Sequence, residues 1–417
     1  MESVYERMER LGTYQKMADF QVKMQQPYEF KKKYAEIRAK EFAEECEKRE
    51  LNYHVSVGGL DSITLFLFLK SIGIDAPGIT VSFIEDSSIQ KIHRALGLTR
   101  LAPAVHTDAE RKGKHWNKPE IIREFGFPVL SKEIAAKIDL LQRPTEDNKT
   151  VRHAIITGET GEYGGYQKNS RMKLNQRWLE LFGGWDKEGE ELGFNHPDWN
   201  VSSKCCYYLK EKPADDWAKA HNSVPYLGLM ASEGGRRAKS LKMNGCNYFG
   251  KSTIRSAPFA IFNRQDLLLL TLEMDELWKN KWKDEFYERG IKEGWFGEEF
   301  EMPDSIVPEI YGIIDKKLDG TLFTTKAQRT GCSMCGFGIH MESRPHRFDL
   351  LRERNEKEWH FWMYDVCTDE NGNHFGWGKV LDYIGVEWEN DWRNAGQIEG
   401  QFNIFDYPEV IPKEMSS

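Results

Sequence analysis

Val55-Ser-Val-Gly-Gly-Leu-Asp-Ser62 decides how this chain folds. Just upstream, Asn52-Tyr-His-Val-Ser-Val57 alternates apolar and polar residues as a half-buried strand does. Downstream, Ser62 to Leu69 is almost wholly apolar, and Gly73 closes what reads as a buried helix. A strand, a glycine turn and a helix open a βαβ unit, and chemistry in such units gathers at the strand's carboxyl end. Two consecutive glycines, Gly58 and Gly59, let the backbone approach an anion closely. The helix start adds unpaired N–H groups and a positive dipole end, with Ser56 and Ser62 as hydroxyl donors. Asp61 repels phosphate, so it would orient the loop or engage a metal–phosphate unit. The stretch is neither G-x-x-x-x-G-K-[ST] nor G-x-G-x-x-G. By local physics alone it is equally well an ordinary turn with an Asp or Ser cap.

Working outward, the alternation continues. Ile79 to Ile84 is a second β-branched run, followed by a helical stretch ending near Gly97. Ile134, Ile138 and Leu141 fall at helical spacing within Ser131 to Leu141. Ala154 to Ile156 reads as a short strand, and Val224 to Met230 is a further apolar run. The expected fold class is α/β, a doubly wound and mainly parallel sheet with a helical, cysteine-bearing C-terminal subdomain. Residues 1–50 read as an amphipathic helical segment packed on the adjoining α/β domain, with Tyr28 to Tyr34 locally basic. The boundaries expected are 1–50, 51–263 and 264–417, the last containing a Trp- and charge-rich insertion at 279–303.

Composition narrows the class. A length of 417 residues suggests two to three domains, and 40% apolar with 30% charged residues is enough to bury a core. The 58 basic against 66 acidic residues give −8, which argues against broad wrapping of nucleic acid while leaving room for a local basic groove. No apolar run approaches the ~18–20 residues a membrane helix needs, and the start, Met1 to Phe20, is charged throughout. A soluble, cytoplasmic protein with no membrane partner is expected. Seven cysteines include the adjacent Cys205 and Cys206 and the C-x-x-C of Cys332 and Cys335. In a reducing compartment that clustering points to metal or redox chemistry.

Gly58-Gly-Leu-Asp-Ser62 resembles the S-G-G-x-D-S loop of the adenine-nucleotide α-hydrolase-like superfamily, which includes ATP pyrophosphatases and phosphoadenosine phosphosulfate (PAPS) reductases. Lys204-Cys-Cys-Tyr-Tyr-Leu-Lys-Glu-Lys-Pro213, Gly228-Leu-Met-Ala-Ser-Glu-Gly-Gly-Arg-Arg237, Ser256-Ala-Pro-Phe259 and Arg329-Thr-Gly-Cys-Ser-Met-Cys335 occur in the order of PAPS reductase-like proteins. The resemblance implies an adenine nucleotide (ATP, PAPS or adenylyl sulfate), with Mg2+ as a candidate companion. Its site would use Ser56, Gly58, Gly59, Asp61, Ser62, Arg236 and Arg237, with Asp61, Arg237 and Cys246 as catalytic candidates. Lys132 and Arg329 are further candidates for the anion. Two positions depart from the family pattern: Val57 stands where it has the first loop serine, and Met230 where it has the first arginine.

The C-C…C-x-x-C order is similar to that of the iron–sulfur adenylyl-sulfate reductases, and Cys205, Cys206, Cys332 and Cys335 are the expected ligands of a 4Fe–4S cluster. Zinc on Cys332, Cys335 and His340 is an alternative, with Pro345 at the fourth knuckle position and His346 one residue late. Unmetallated thiols are another. Cys246 is a small buried hydrophobe, a ligand or a sulfur carrier. The family's C-terminal E-C-G-x-H nucleophile is absent, and no cysteine comes after Cys367. That favours ATP-dependent sulfur transfer over plain sulfate reduction. A sulfur donor such as a cysteine desulfurase, a nucleic-acid acceptor and a homo-oligomer are the partners implied. The alternative function is a non-catalytic nucleotide-sensing or nucleic-acid-associated module, with Val57 marking lost catalysis.

Overall fold

The computed structural model describes residues 4–159, 172–183, 197–251, 253–328 and 330–389, without the side chains of 4–11, Thr13, Ser82 and 235–237. The chain divides into two compact units, 1–116 with 206–333, and 117–205 with 334–417. Among the described residues no helix is long and apolar enough to cross a membrane.

The first unit is built on β1 (Asn52–Ser56), β2 (Gly78–Thr80) and β3 (Thr99–Arg100). β4 (Val129–Leu130) belongs to the second unit, and β5 (Ser223–Tyr226), β6 (Asn247–Phe249) and β7 (Ile254–Ser256) complete the first. Six strands form one sheet in the order β3-β2-β1-β5-β7-β6, parallel except for β6 against β7 at the edge. Val55 sits opposite Gly78 on one side and Tyr226 on the other. The chain runs outward from β1 through β2 to β3 and later returns on the opposite flank at β5. Strand order therefore reverses between β1 and β5, where open α/β sheets leave a crevice at their carboxyl ends.

Helices α1 (Val4–Met24) and α2 (Tyr28–Lys48) precede the sheet, and α3 (Leu60–Ser71) comes directly after β1. α3 buries Leu60, Ile63, Leu65, Leu67, Phe68 and Leu69, which is apolar on nearly every side, as expected of a helix enclosed by its neighbours. Gly73, at φ +83°, lets the chain turn away after it. α2 buries Ala35, Ala39, Phe42, Ala43 and Cys46 at three- and four-residue spacing. Tyr226 fixes it to the sheet, donating from Oη to the Ala39 carbonyl at 2.7 Å while its ring meets Phe42 at 4.9 Å. The basic run from Tyr28 faces the helix Arg264–Leu277. Lys31 Nζ lies 2.7 Å from Asp266, Lys32 pairs with Glu273, and Tyr28 Oη donates to Glu273 at 2.7 Å. The N-terminal helices are thus part of the first unit.

Several expectations shift. The run Ile79 to Ile84 is strand only as far as Thr80 and then a 3-10 turn at Ser82–Ile84. The segment 279–303 carries the helix Lys283–Glu293, and Trp282 and Phe286 are buried in the same core as Trp278, Phe68 and Phe259. The hairpin of β8 (Ile314–Lys316) and β9 (Leu322–Thr324) also belongs to this unit. The compact units therefore run differently from a division at 263/264.

In the second unit β4 pairs in parallel with β10 (Gly336–Phe337), and β11 (Cys367–Thr368) pairs antiparallel with β12 (His374–Phe375). Its core joins Phe127, Ile138, Ile155 and Phe182 to Phe348, Trp362 and Trp377, which is why 117–205 groups with the C-terminal part. Ala154 to Ile156 is not a strand but the end of the helix Lys149–Thr157, all three side chains being buried. Three apolar residues in a row fit either period. Gly158, at φ +86° with its N–H on the Ala154 carbonyl, is the left-handed cap that makes the segment a helix.

Candidate functional site

The glycine loop lies where β1 ends and α3 begins, at the reversal of strand order. Val57 is 4% exposed and belongs to the core, so Ser56 points to the opposite face of the strand and does not take over Val57's place. Ser62 holds the loop closed. Its Oγ accepts the Gly58 N–H at 2.7 Å and donates to the Gly59 carbonyl at 2.9 Å. Gly228, just beyond β5, comes so close that a Cβ there would stand 3.1 Å from the Asp61 carbonyl and 3.2 Å from the Ser62 nitrogen. The ends of β1 and β5 therefore share one wall.

Around this loop the first unit gathers polar side chains from distant parts of the chain. His93, fully buried in α4 (Ser87–Ala95), has Nε2 2.7 Å from the Gly58 carbonyl and Nδ1 3.1 Å from Thr80 Oγ1. Burial lowers its pKa. The neutral ring therefore donates from Nε2, since a carbonyl only accepts, and fixes the Gly58 peptide plane. Asp61 pairs with Arg264 at 3.0 Å, and Arg264 also donates to the Gln328 carbonyl at 3.0 Å. Tyr311, 4% exposed, accepts the Leu60 N–H at 3.2 Å and meets Thr330 Oγ1 at 2.6 Å.

Beside Gly58 stands a second group. Glu85, buried, would lie 3.8 Å from a Cβ at Gly58, and it accepts from Lys210 Nζ at 2.6 Å. Lys210 is also hydrogen-bonded to the Cys332 sulfur. Burial opposes its charge, but Cys332 and Glu85 outweigh burial and hold Lys210 above the ordinary lysine pKa. Lys210 reaches this place on the π-helical turn Tyr207–Glu211, continuous with Lys204–Cys206; such turns recur at functional sites.

The other candidates are placed elsewhere. Cys246 is 1% exposed and hydrogen-bonded to Tyr34, and burial pushes its thiol up to about 11. Since the thiolate is the reactive form, this is the setting of a structural thiol. Arg236 and Arg237 lie in the first turn of the helix Gly235–Asn244, with side chains outside the described residues. Arg329 is outside them as well, and Lys132 opens a helix of the second unit. Cys206 and Cys332 belong to the first unit, Cys205 and Cys335 to the second. Among the described residues no three His, Cys, Asp or Glu side chains are gathered as a metal site.

Glu85, His93, Lys210, Arg264 and Tyr311 were not singled out by sequence reasoning. Two of them had a usable signal: Glu85 comes shortly after the second β-branched run, where parallel strands present functional groups, and Lys210 lies inside the stretch Lys204–Pro213. No family model matches the chain, and no curated protein or solved structure matches it either.

Proposed function

We propose that this chain is a PAPS reductase-like enzyme that binds an adenine nucleotide on the Gly58–Ser62 loop and carries out sulfur chemistry beside it. One observation carries the reading: within a single unit, the glycine loop at the reversal of a parallel sheet adjoins Glu85, which is paired with Lys210, which in turn holds the Cys332 sulfur. The loop amides and the α3 dipole would bind the nucleotide phosphates. Asp61, oriented by Arg264, would face a phosphate-bound Mg2+. Lys210 would hold the Cys332 sulfur by a hydrogen bond. Lacking the C-terminal cysteine motif, the chain fits ATP-dependent sulfur transfer from a donor such as a cysteine desulfurase, with a nucleic acid as an acceptor class, better than sulfate reduction.

Gly59→Val tests the reading. The added side chain runs into the Tyr311 hydroxyl, whose oxygen would stand 2.6 Å from its Cβ, so the loop must shift out of place, and the loss of a backbone hydrogen bond to the phosphate corresponds to roughly 5- to 150-fold weaker binding. Calorimetric titration with ATP, adenylyl sulfate and PAPS measures it. Unchanged affinity in a folded variant counts against the loop as the nucleotide site.

A further inference from the structure

We propose that Tyr311 is a gate on the nucleotide loop, its hydroxyl occupying the seat that a nucleotide phosphate oxygen takes. The inference rests on the nucleotide reading of the loop and adds the group that controls entry to it.

The geometry is specific. A Cβ built on Gly59 would meet the Tyr311 hydroxyl at 2.6 Å and Thr330 Oγ1 at 3.2 Å. The space that Gly59 leaves open is therefore filled by a phenol oxygen. That oxygen also accepts the Leu60 N–H at 3.2 Å, one of the amides at the start of α3 that would otherwise face an anion. A phosphate oxygen and the Tyr311 oxygen are both acceptors, so they compete for the same donor. Thr330, at 2.6 Å, holds Tyr311 in place from the other side. Tyr311 is 4% exposed and sits in a small cluster with Leu60, Ile89, Leu268 and Val307, so it does not leave its seat by a free rotation into water.

Only the fraction of molecules with Tyr311 withdrawn binds nucleotide, and the apparent affinity is reduced by that fraction.

The test is Tyr311→Phe in the full chain, with ATP, adenylyl sulfate and PAPS as probes, read by calorimetry and by stopped-flow association. Removing the hydroxyl deletes a competitor worth about one hydrogen bond, so the Kd of whichever nucleotide binds falls roughly fivefold to tenfold. The change lies in a faster association rate, a readout that mere loosening of the fold does not give. Thr330→Val, which keeps Tyr311 but removes its partner, shifts Kd in the same direction by less, and it serves if Tyr311→Phe does not fold. Unchanged or weaker binding in the folded variants, with wild type binding normally, overturns the gate and leaves the nucleotide site standing. If neither wild type nor variants bind any of the three nucleotides, the nucleotide reading fails and the gate with it.

Discussion

Lys31→Met is expected to remove about 3–5 kcal/mol from the stability of the first unit, the cost of leaving a buried charge without its partner. Lys31 and Asp266 have side chains only 4% and 7% exposed, with nitrogen and oxygen 2.7 Å apart. Methionine fills the same volume, so packing is preserved and the loss is electrostatic. The Asp266 carboxylate keeps the Asn263 N–H at 2.8 Å, a capping box that opens the helix Arg264–Leu277, which places the effect toward the lower end of the range. Urea unfolding monitored by circular dichroism measures it. Lys31→Met combined with Asp266→Asn should recover part of the loss, because no buried charge is then left unpaired while the amide oxygen still accepts the Asn263 N–H. A single variant as stable as wild type would mean that α2 does not depend on this clamp.

Gly126→Ala is the second large effect, expected in the other unit. Gly126 sits at φ +108° and ψ 177°, a region open essentially to glycine alone. A Cβ there would stand 2.2 Å from the Asn200 carbonyl oxygen, a backbone atom held in place because the Phe127 N–H donates to it at 2.8 Å. Backbone strain and collision add together, and a loss of about 3 kcal/mol or more is expected. Phe127 leads into β4 and packs on Trp377 at 5.0 Å, so the disturbance reaches the centre of that core. Thermal unfolding of the variant reports it. A melting temperature unchanged from wild type would contradict the backbone geometry described for Gly126.

Local patterns carried the part of the fold that was legible in the sequence. The alternation at Asn52 to Val57, the paired glycines and the apolar run to Leu69 located β1, the loop and α3, and Gly73 closed the helix as expected. Periodicity could not separate helix from strand at Ala154 to Ile156, where the run is too short. Nor could it find pairs that close over long distances in the chain. Lys210 is 125 positions from Glu85, Arg264 is 203 from Asp61, and Tyr311 is 251 from Leu60. The basic run at Tyr28 was legible as a helix face, but not its acidic partners some 235 positions on. Cys246 was visible only as a cysteine, and its burial against Tyr34 came from the fold.

The central claim is that an adenine nucleotide binds at the end of β1. Amide hydrogen exchange across residues 57–63 of the full chain, with and without saturating ATP, adenylyl sulfate or PAPS, tests it most directly. Slower exchange is expected at Gly59 and Leu60 with at least one of the three nucleotides. A nucleotide that binds while leaving these amides unchanged and protecting another part of the chain would contradict it, as would the failure of all three to bind.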